Sequence, residues 1–356
     1  MCEARRRAAF SIVAASAWLS PRCAARADDG PPKRSFECSV QASRGLRPYM
    51  EDARHVSADG RFAAVYDGHG GPFVSQYLHQ HLFANVQDQL DAEPEDQDLA
   101  LTPSHDMAAI ERALRGAFRA AGDAIAERAH WNAQGSTAAV VLVGDDALIS
   151  ANVGDSRAVL SRRGRAVCLT RDHKPDAPEE RARIEALGGA VEWEGARDPA
   201  TGEPVAGAGC WRVNGALAVS RVIGDQSARP FVTDEVEILA LARERAADEF
   251  VVVATDGLWD VMSSAEVVEF VHECTAVGAP RRGNTRLTSR SPTRGVGSPA
   301  VDGSGELVAE SPVVMPGAKA SPFLQRRKQQ MARYLMEEAM RRGTTDNITI
   351  IVLWLR

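Results

Sequence analysis

Basic charge is in short supply in this chain of 356 residues: 42 Lys and Arg stand against 48 Asp and Glu, a formal net charge of −6. A nucleic-acid surface would need the opposite balance, and none is indicated. Long apolar runs are missing too, so no tract is taken as a membrane span. Cysteine is sparse and scattered: Cys2, Cys23, Cys38, Cys168, Cys210 and Cys274 have neither the close spacing of a zinc knuckle nor the density of a disulfide framework. Cys168 and Cys274 lie in apolar surroundings and are expected to be small buried hydrophobes. The composition as a whole, 44% apolar and 25% charged, is ordinary for a globular chain of one large domain or two smaller ones.

Two stretches differ from the rest. Residues 1–35 begin with Arg5-Arg6-Arg7, run from Ala8 to Leu19 with little charge, and reach Ala25-Arg26-Ala27. That order fits a secretory signal, and its Arg, Ala and Ser richness suits an organelle transit peptide equally well. An unprocessed tail would leave the chain in the cytoplasm or nucleus. Residues 275–320 are rich in Gly, Ser, Pro and Arg. They can bury too little apolar surface to offset their ordering entropy and are expected to loop out of a domain spanning 36–356. Ser289, Ser291, Ser298 and Ser311 with nearby arginines suit regulatory phosphorylation or partner docking, against the plainer reading of a spacer.

Between these breaks, Thr137–Val143, Ala147–Val153, Arg157–Leu160 and Arg165–Leu169 are short β-prone runs. Their connections are too short for parallel crossovers, which predicts an antiparallel meander. Helical spacing marks Phe73, Tyr77, Leu78, Phe83, Val86 and Leu90 behind Pro72, and a second face runs from Ile110 to Ile125. Ser264–Val271 and Phe323–Met340 predict two more helices.

Acidic residues cluster where apolar runs begin or end. Asp67-Gly68-His69-Gly70-Gly71 follows Phe62–Tyr66, Asp256-Gly257 follows Phe250–Thr255, Asp346-Asn347 precedes Ile348–Trp354, and Glu51-Asp52 stands apart upstream. Carboxylates at strand ends can converge on one sheet rim without burial in the core. An oxygen-only set suits hard cations such as Mg²⁺ or Mn²⁺, whereas zinc would want several His or Cys ligands. Taken singly, each Asp-Gly pair would read as a turn.

The wording around these clusters resembles the metal-dependent protein serine/threonine phosphatases of type 2C. Matching pieces run in family order: Gly45-Leu46-Arg47-Pro48-Tyr49-Met50-Glu51-Asp52, Val65–Gly71, Gly135-Ser136-Thr137-Ala138, Ala151–Ala158, Asp172-His173-Lys174-Pro175, Leu217–Arg221, Asp256–Asp260 and Thr344–Thr349. The resemblance implies an α+β fold, a four-layer α-β-β-α sandwich with two central antiparallel sheets. It also implies hydrolysis of phosphoserine and phosphothreonine by a water bridging two Mg²⁺ or Mn²⁺ ions. Asp67 would bridge the ions, Asp256 and Asp346 would bind one, and Glu51 with the Gly68 carbonyl the other. Asp52 and Asn347 would orient waters around them. Asp155 and Asp260 match positions for a weaker third ion, with a turn or helix cap as the alternative. Arg47 would grip the phosphate and His69 would protonate the leaving oxygen, since imidazole titrates near neutrality. Asp172-His173-Lys174-Pro175 reads as a structural turn.

The expected partners are phosphoprotein substrates, with no nucleic acid, and the catalytic domain is expected to be monomeric. A non-catalytic binding protein of the same fold is the alternative, although no core ligand is missing. A two-metal nuclease lacks support, because no basic and aromatic strip accompanies the acids. Two departures bear on substrate choice. Gly195 to Cys210 looks like an added loop before Trp211, and Gln226-Ser227-Ala228-Arg229-Pro230-Phe231 lacks a lysine that many relatives carry.

Overall fold

The computed structural model describes residues 36–92, 103–276 and 322–356. The targeting expectation for 1–35, and the excursion expected at 275–320 beyond its first two residues, therefore lie outside the described residues. In chain order the elements are β1 (Glu37–Ser43), β2 (Ala53–Val56), β3 (Phe62–Tyr66), β4 (Gly68–His69), α1 (Phe73–Ala92), α2 (Pro103–Ala126), β5 (Gly135–Ser136), β6 (Ala138–Val143), β7 (Ala147–Val153), β8 (Arg157–Arg162) and β9 (Arg165–Cys168). There follow α3 (Pro178–Ala186), β10 (Val191–Arg197), β11 (Pro204–Val213), β12 (Ile223–Gly224), β13 (Glu237–Ala242), β14 (Asp248–Ala254), α4 (Asp256–Trp259), α5 (Ser264–Thr275), α6 (Pro322–Arg341) and β15 (Ile348–Trp354).

Strand alternation sorts the core into layers. In β3, Phe62, Ala64 and Tyr66 pack with Leu78, Leu82, Leu114 and Phe118 of α1 and α2. Ala63 and Val65 point the other way, toward Val251 and Val253 of β14 and Ile351 and Leu353 of β15. The opposite faces of β14 and β15, including Phe250, Val252 and Ile350, pack on Val267, Val271, Met331 and Leu335 of α5 and α6. Period-two side chains buried on both faces make near-continuous apolar strands. Each such Val, Ile or Leu contributes roughly 1.5–3 kcal/mol by burial.

The two central sheets are antiparallel, ordered β13-β7-β6-β3-β2 and β1-β15-β14-β8-β9. Helices α1 and α2 cover the first, and α5 and α6 the second, giving the expected four layers. Smaller ribbons β12-β5-β4 and β10-β11 lie outside them. Helix α5 starts at Ser263, whose hydroxyl and Glu266 form a reciprocal capping box.

Two expectations need correction here. The stretch 137–169 is no single meander: β6 pairs β7 in one sheet while β8 pairs β9 in the other. All of β7 and most of β8 are buried, a demand that one half-solvated meander cannot meet, so Gly154-Asp155-Ser156 carries the chain between sheets. Cys274 is buried, but Cys168 is exposed. The latter ends β9, one of the two edge strands of its sheet.

Candidate active site

Strand register brings the acidic clusters to one rim. Ala53 pairs Tyr66, so Glu51-Asp52 before β2 meets Asp67 after β3. Ala254 pairs both Ile350 and Arg157, which places Asp256 beside Asp346-Asn347 and the start of β8. Val153 pairs Ala138, so Asp155 joins the same end.

Close backbone approach fixes the spacing. A Cβ on Gly257 would stand 2.1 Å from the Asn347 carbonyl oxygen, and one on Gly45 would stand 2.1 Å from that of Asp346. Gly45 also has φ +60°, a region side chains disfavour. Asn347 ties the incoming loop down: its Oδ1 accepts from Glu51 N at 2.7 Å, and its Nδ2 donates to the carbonyls of Arg44 and Tyr49. Glu51 is also held through its carbonyl, which accepts from Ser75 Oγ. Asp67 N donates to Thr137 Oγ1 at 3.1 Å, and Thr137 N returns a bond to Asp67 O at 2.9 Å. Arg47 Nη2 lies 2.5 Å from Asp346 Oδ2, and Leu46 and Tyr49 stand exposed on either side of that arginine.

Burial and mutual repulsion dominate the electrostatics. Burial, then the charges of Asp256, Asp52, Asp155 and Asp346, pushes Asp67 well above the usual carboxylate range. Asp256 is pushed up well beyond it by burial, Asp155 and Asp260, with Lys174 opposing. Burial pushes Asp52 up to about 7. Thr255 Oγ1 donates to Asp52 Oδ2 at 3.0 Å, but the buried Asp52 Oδ1 has no hydrogen-bond partner. Among the described residues no three His, Cys, Asp or Glu side chains are drawn into a closed ligand cluster. The carboxylates face one another at Coulombic range instead.

Two further residues reach the rim that the sequence reading did not assign to it. His69 Nε2 is paired with the Asp225 carboxylate. Asp225 directly follows β12, the same strand-end placement as the other acids, and that pattern was the available signal. Lys174 Nζ donates to Asp155 Oδ2, so the turn expected from Asp172-His173-Lys174-Pro175 also carries charge into the site. Asp260 does not cap α5, because Ser263 does.

The stretch from Gly195 to Cys210 is not a loop. It forms most of a β10–β11 hairpin in which Val191 pairs Val213 and Trp193 pairs Trp211. The two indoles meet edge to face at 5.5 Å and Arg181 lies over Trp211 at 4.7 Å. These contacts hold the hairpin base, although most of β10 is exposed. No helix among the described residues is long and apolar enough to cross a membrane.

Comparison with known proteins bears on family and fold. The family profile described as "Protein phosphatase 2C" matches residues 36–296. Over 248 residues the chain is 36% identical to "Probable protein phosphatase 2C 69" of Arabidopsis thaliana, covering 67% of this chain and 61% of that one. Over 296 residues it is 34% identical to "Probable protein phosphatase 2C 59" of the same plant, covering 78% of this chain and 84% of that relative. The chain thus spans less than two thirds of the former's length. In three dimensions it resembles serine-threonine phosphatase 2C from Toxoplasma gondii, with TM-score 0.60 and 19% identity, covering 91% of this chain and 96% of that one. That likeness speaks to the fold.

Proposed function

The chain belongs to the protein phosphatase 2C family, and from that footing we propose that it is a metal-dependent phosphatase of phosphoserine and phosphothreonine in proteins. The observation that carries the proposal is the convergence of Asp67, Asp256 and Asp346, each joined by Coulombic repulsion to the others. Partly buried carboxylates crowded onto one rim repel one another at a cost in free energy unless cations neutralise them. The oxygen-only donor set suits Mg²⁺ or Mn²⁺, and the unpartnered Asp52 Oδ1 fits an acceptor for ligand water.

Asp67, Asp256, Asp346, Glu51 and the Gly68 carbonyl would hold two ions, and Asp155 with Asp260 a weaker third. When bound, such ions would lower the pKa of a coordinated water and neutralise charge on the phosphoryl oxygens. Arg47 binds the phosphate, because a planar guanidinium matches a pair of phosphate oxygens. Its present partner, Asp346, shows that it reaches the acidic rim. His69 donates a proton to the departing seryl or threonyl oxygen, and Asp225 orients the ring that does so.

Turnover of a phosphoserine peptide is the direct test, measured with added Mn²⁺ or Mg²⁺, with chelator, and beside a nucleic-acid substrate. Metal-restored release of phosphate from the peptide alone is expected. Turnover that persists in chelator, or a preference for nucleic acid, would reject the proposal.

A further inference from the structure

We propose that Lys174 is a built-in counter-ion at the Asp155 corner of the rim, competing with a divalent cation for that carboxylate and keeping the third ion the most weakly held. The inference rests on the metal-dependent reading above and concerns one residue that this reading leaves without a role.

The placement of Lys174 follows from its neighbours in the turn. Arg157 holds Asp172 through two bonds, Nε to Oδ1 at 2.9 Å and Nη2 to Oδ2 at 2.6 Å. His173 is buried, with Nδ1 accepting from Gly154 N at 3.0 Å and Nε2 facing Glu237 Oε2 at 3.0 Å. Its backbone N–H donates to the Gly154 carbonyl at 3.0 Å. The turn is thereby clamped to the residue before Asp155. Lys174, next in sequence, has its ammonium delivered to Asp155 Oδ2. Asp155 is only 4% exposed, against 35% for the lysine side chain.

The lysine is therefore fixed by backbone geometry, unlike a surface cation that happens to find an acid. A divalent ion at Asp155 must displace this ammonium or share the carboxylate with it. Either costs affinity, because like charges compete for one acceptor in a poorly hydrated corner. The two inner positions, on Asp67, Asp346 and Glu51, do not use Asp155 and should be affected less.

Mn²⁺ binding, counted by equilibrium dialysis and by electron paramagnetic resonance of the free ion, tests this without any substrate. Wild type is compared with Lys174→Met, Lys174→Gln and Lys174→Arg. Removing the charge should tighten the weakest binding step at least about tenfold, roughly 1.4 kcal/mol, with a smaller change in the tighter steps. Lys174→Arg should bind as wild type, and adding Asp155→Asn to Lys174→Gln should remove the gain. Lys174→Gln retains a donor for Asp155 and keeps the test open if Lys174→Met does not fold. An unchanged or weakened last step in a folded charge-free variant overturns the inference. Failure of wild type to bind any Mn²⁺ would instead overturn the metal-dependent reading, and this inference with it.

Discussion

His69 and Asp225, 156 residues apart in sequence, meet side chain to side chain at the site rim. The carboxylate is nearly buried while about a third of the imidazole is exposed, so Asp225 is the fixed member and the ring the one that can face a substrate. Asp225 itself takes a left-handed conformation, φ 42° and ψ 50°, which aspartate tolerates better than most residues. Its backbone N–H donates to the Gln134 carbonyl at 2.9 Å. A proton donor needs its ring orientation fixed, and this pair supplies that.

Asp225→Asn keeps the shape of the contact but removes its charge. Turnover of a phosphopeptide should fall about tenfold with KM within about twofold, as for a partner acting through another residue. Steady-state kinetics decide it. A change confined to KM would mean that Asp225 shapes substrate binding instead.

Arg47 and His69 should separate in the same assay. Arg47→Ala is expected to raise KM roughly tenfold or more, with a smaller effect on kcat, because it removes a phosphate contact. His69→Gln is expected to lower kcat about a hundredfold, in the range of general acid catalysis. The reverse pattern would mean that the two roles are exchanged.

Asp67→Asn and Asp256→Asn should each abolish phosphatase activity, since they remove ligand charge with little change of size. Residual activity within about tenfold of wild type, roughly 1.4 kcal/mol of barrier, would contradict their assignment. Stability in chelator should move the opposite way. Both folded-state pKa values are raised, so the favourable protonated form is fully present below the unfolded value near 3.8 and is lost as pH rises through the folded value. Asp52, at about 7, sets part of that window. Each Asn variant should therefore melt higher than wild type at pH 8 in chelator, with a smaller gain at pH 4.

How far the sequence discloses the structure depends on whether the determining contact is local. Strands β3, β14 and β15 are legible because burial on both faces makes them unbroken apolar runs, the first two leading into Asp67 and Asp256 and the third following Asp346. The change of sheet between β7 and β8 is not legible, since a three-residue turn does not state which sheet receives the next strand. Hairpin β10–β11 is hidden because its exposed strands carry Gly, Ala and Glu where an apolar alternation would be sought. Asp225 and Lys174 reach the site through distant partners. Asp225 has the strand-end signature of the other acids, but Lys174 lies in a turn whose wording shows only a turn.

Glu180 offers an acid-side test away from the site. Burial would raise its pKa, but Arg221 at 2.6 Å and Arg183 at 2.9 Å outweigh that and hold it at about 2. With the folded value below the unfolded one near 4.5, its stabilisation is present above pH 4.5 and is lost as pH falls through about 2. Glu180→Gln should lower unfolding free energy by about 2–3 kcal/mol at pH 7. Urea denaturation should show that difference shrinking steadily below pH 4.5. A constant difference across that range would point to packing instead of charge.

Helices α5 and α6 are bonded directly to each other. Arg327 Nη1 in α6 donates to the Cys274 carbonyl in α5 at 2.5 Å, and Arg342 Nη1 reaches Glu266 Oε1 at 2.6 Å. Both helices also pack into one cluster through Val267, Val271, Met331 and Leu335. Arg327 lies five residues into α6, about 8 Å along the axis at 1.5 Å per residue, so the end of α5 and the start of α6 are within short reach of each other. Nine Gly/Ser residues span about 15–18 Å on average. Replacing 277–321 with such a linker should leave kcat/KM for a small phosphopeptide within about twofold, because Asp256 and Asp346 lie outside the exchange and closure entropy changes slowly with length. Melting in the presence of Mn²⁺ should shift by only a few degrees, the scale set by about 1 kcal/mol in a protein of this size. Loss of activity in a variant that still melts cooperatively would show that residues 277–321 contribute directly to the site.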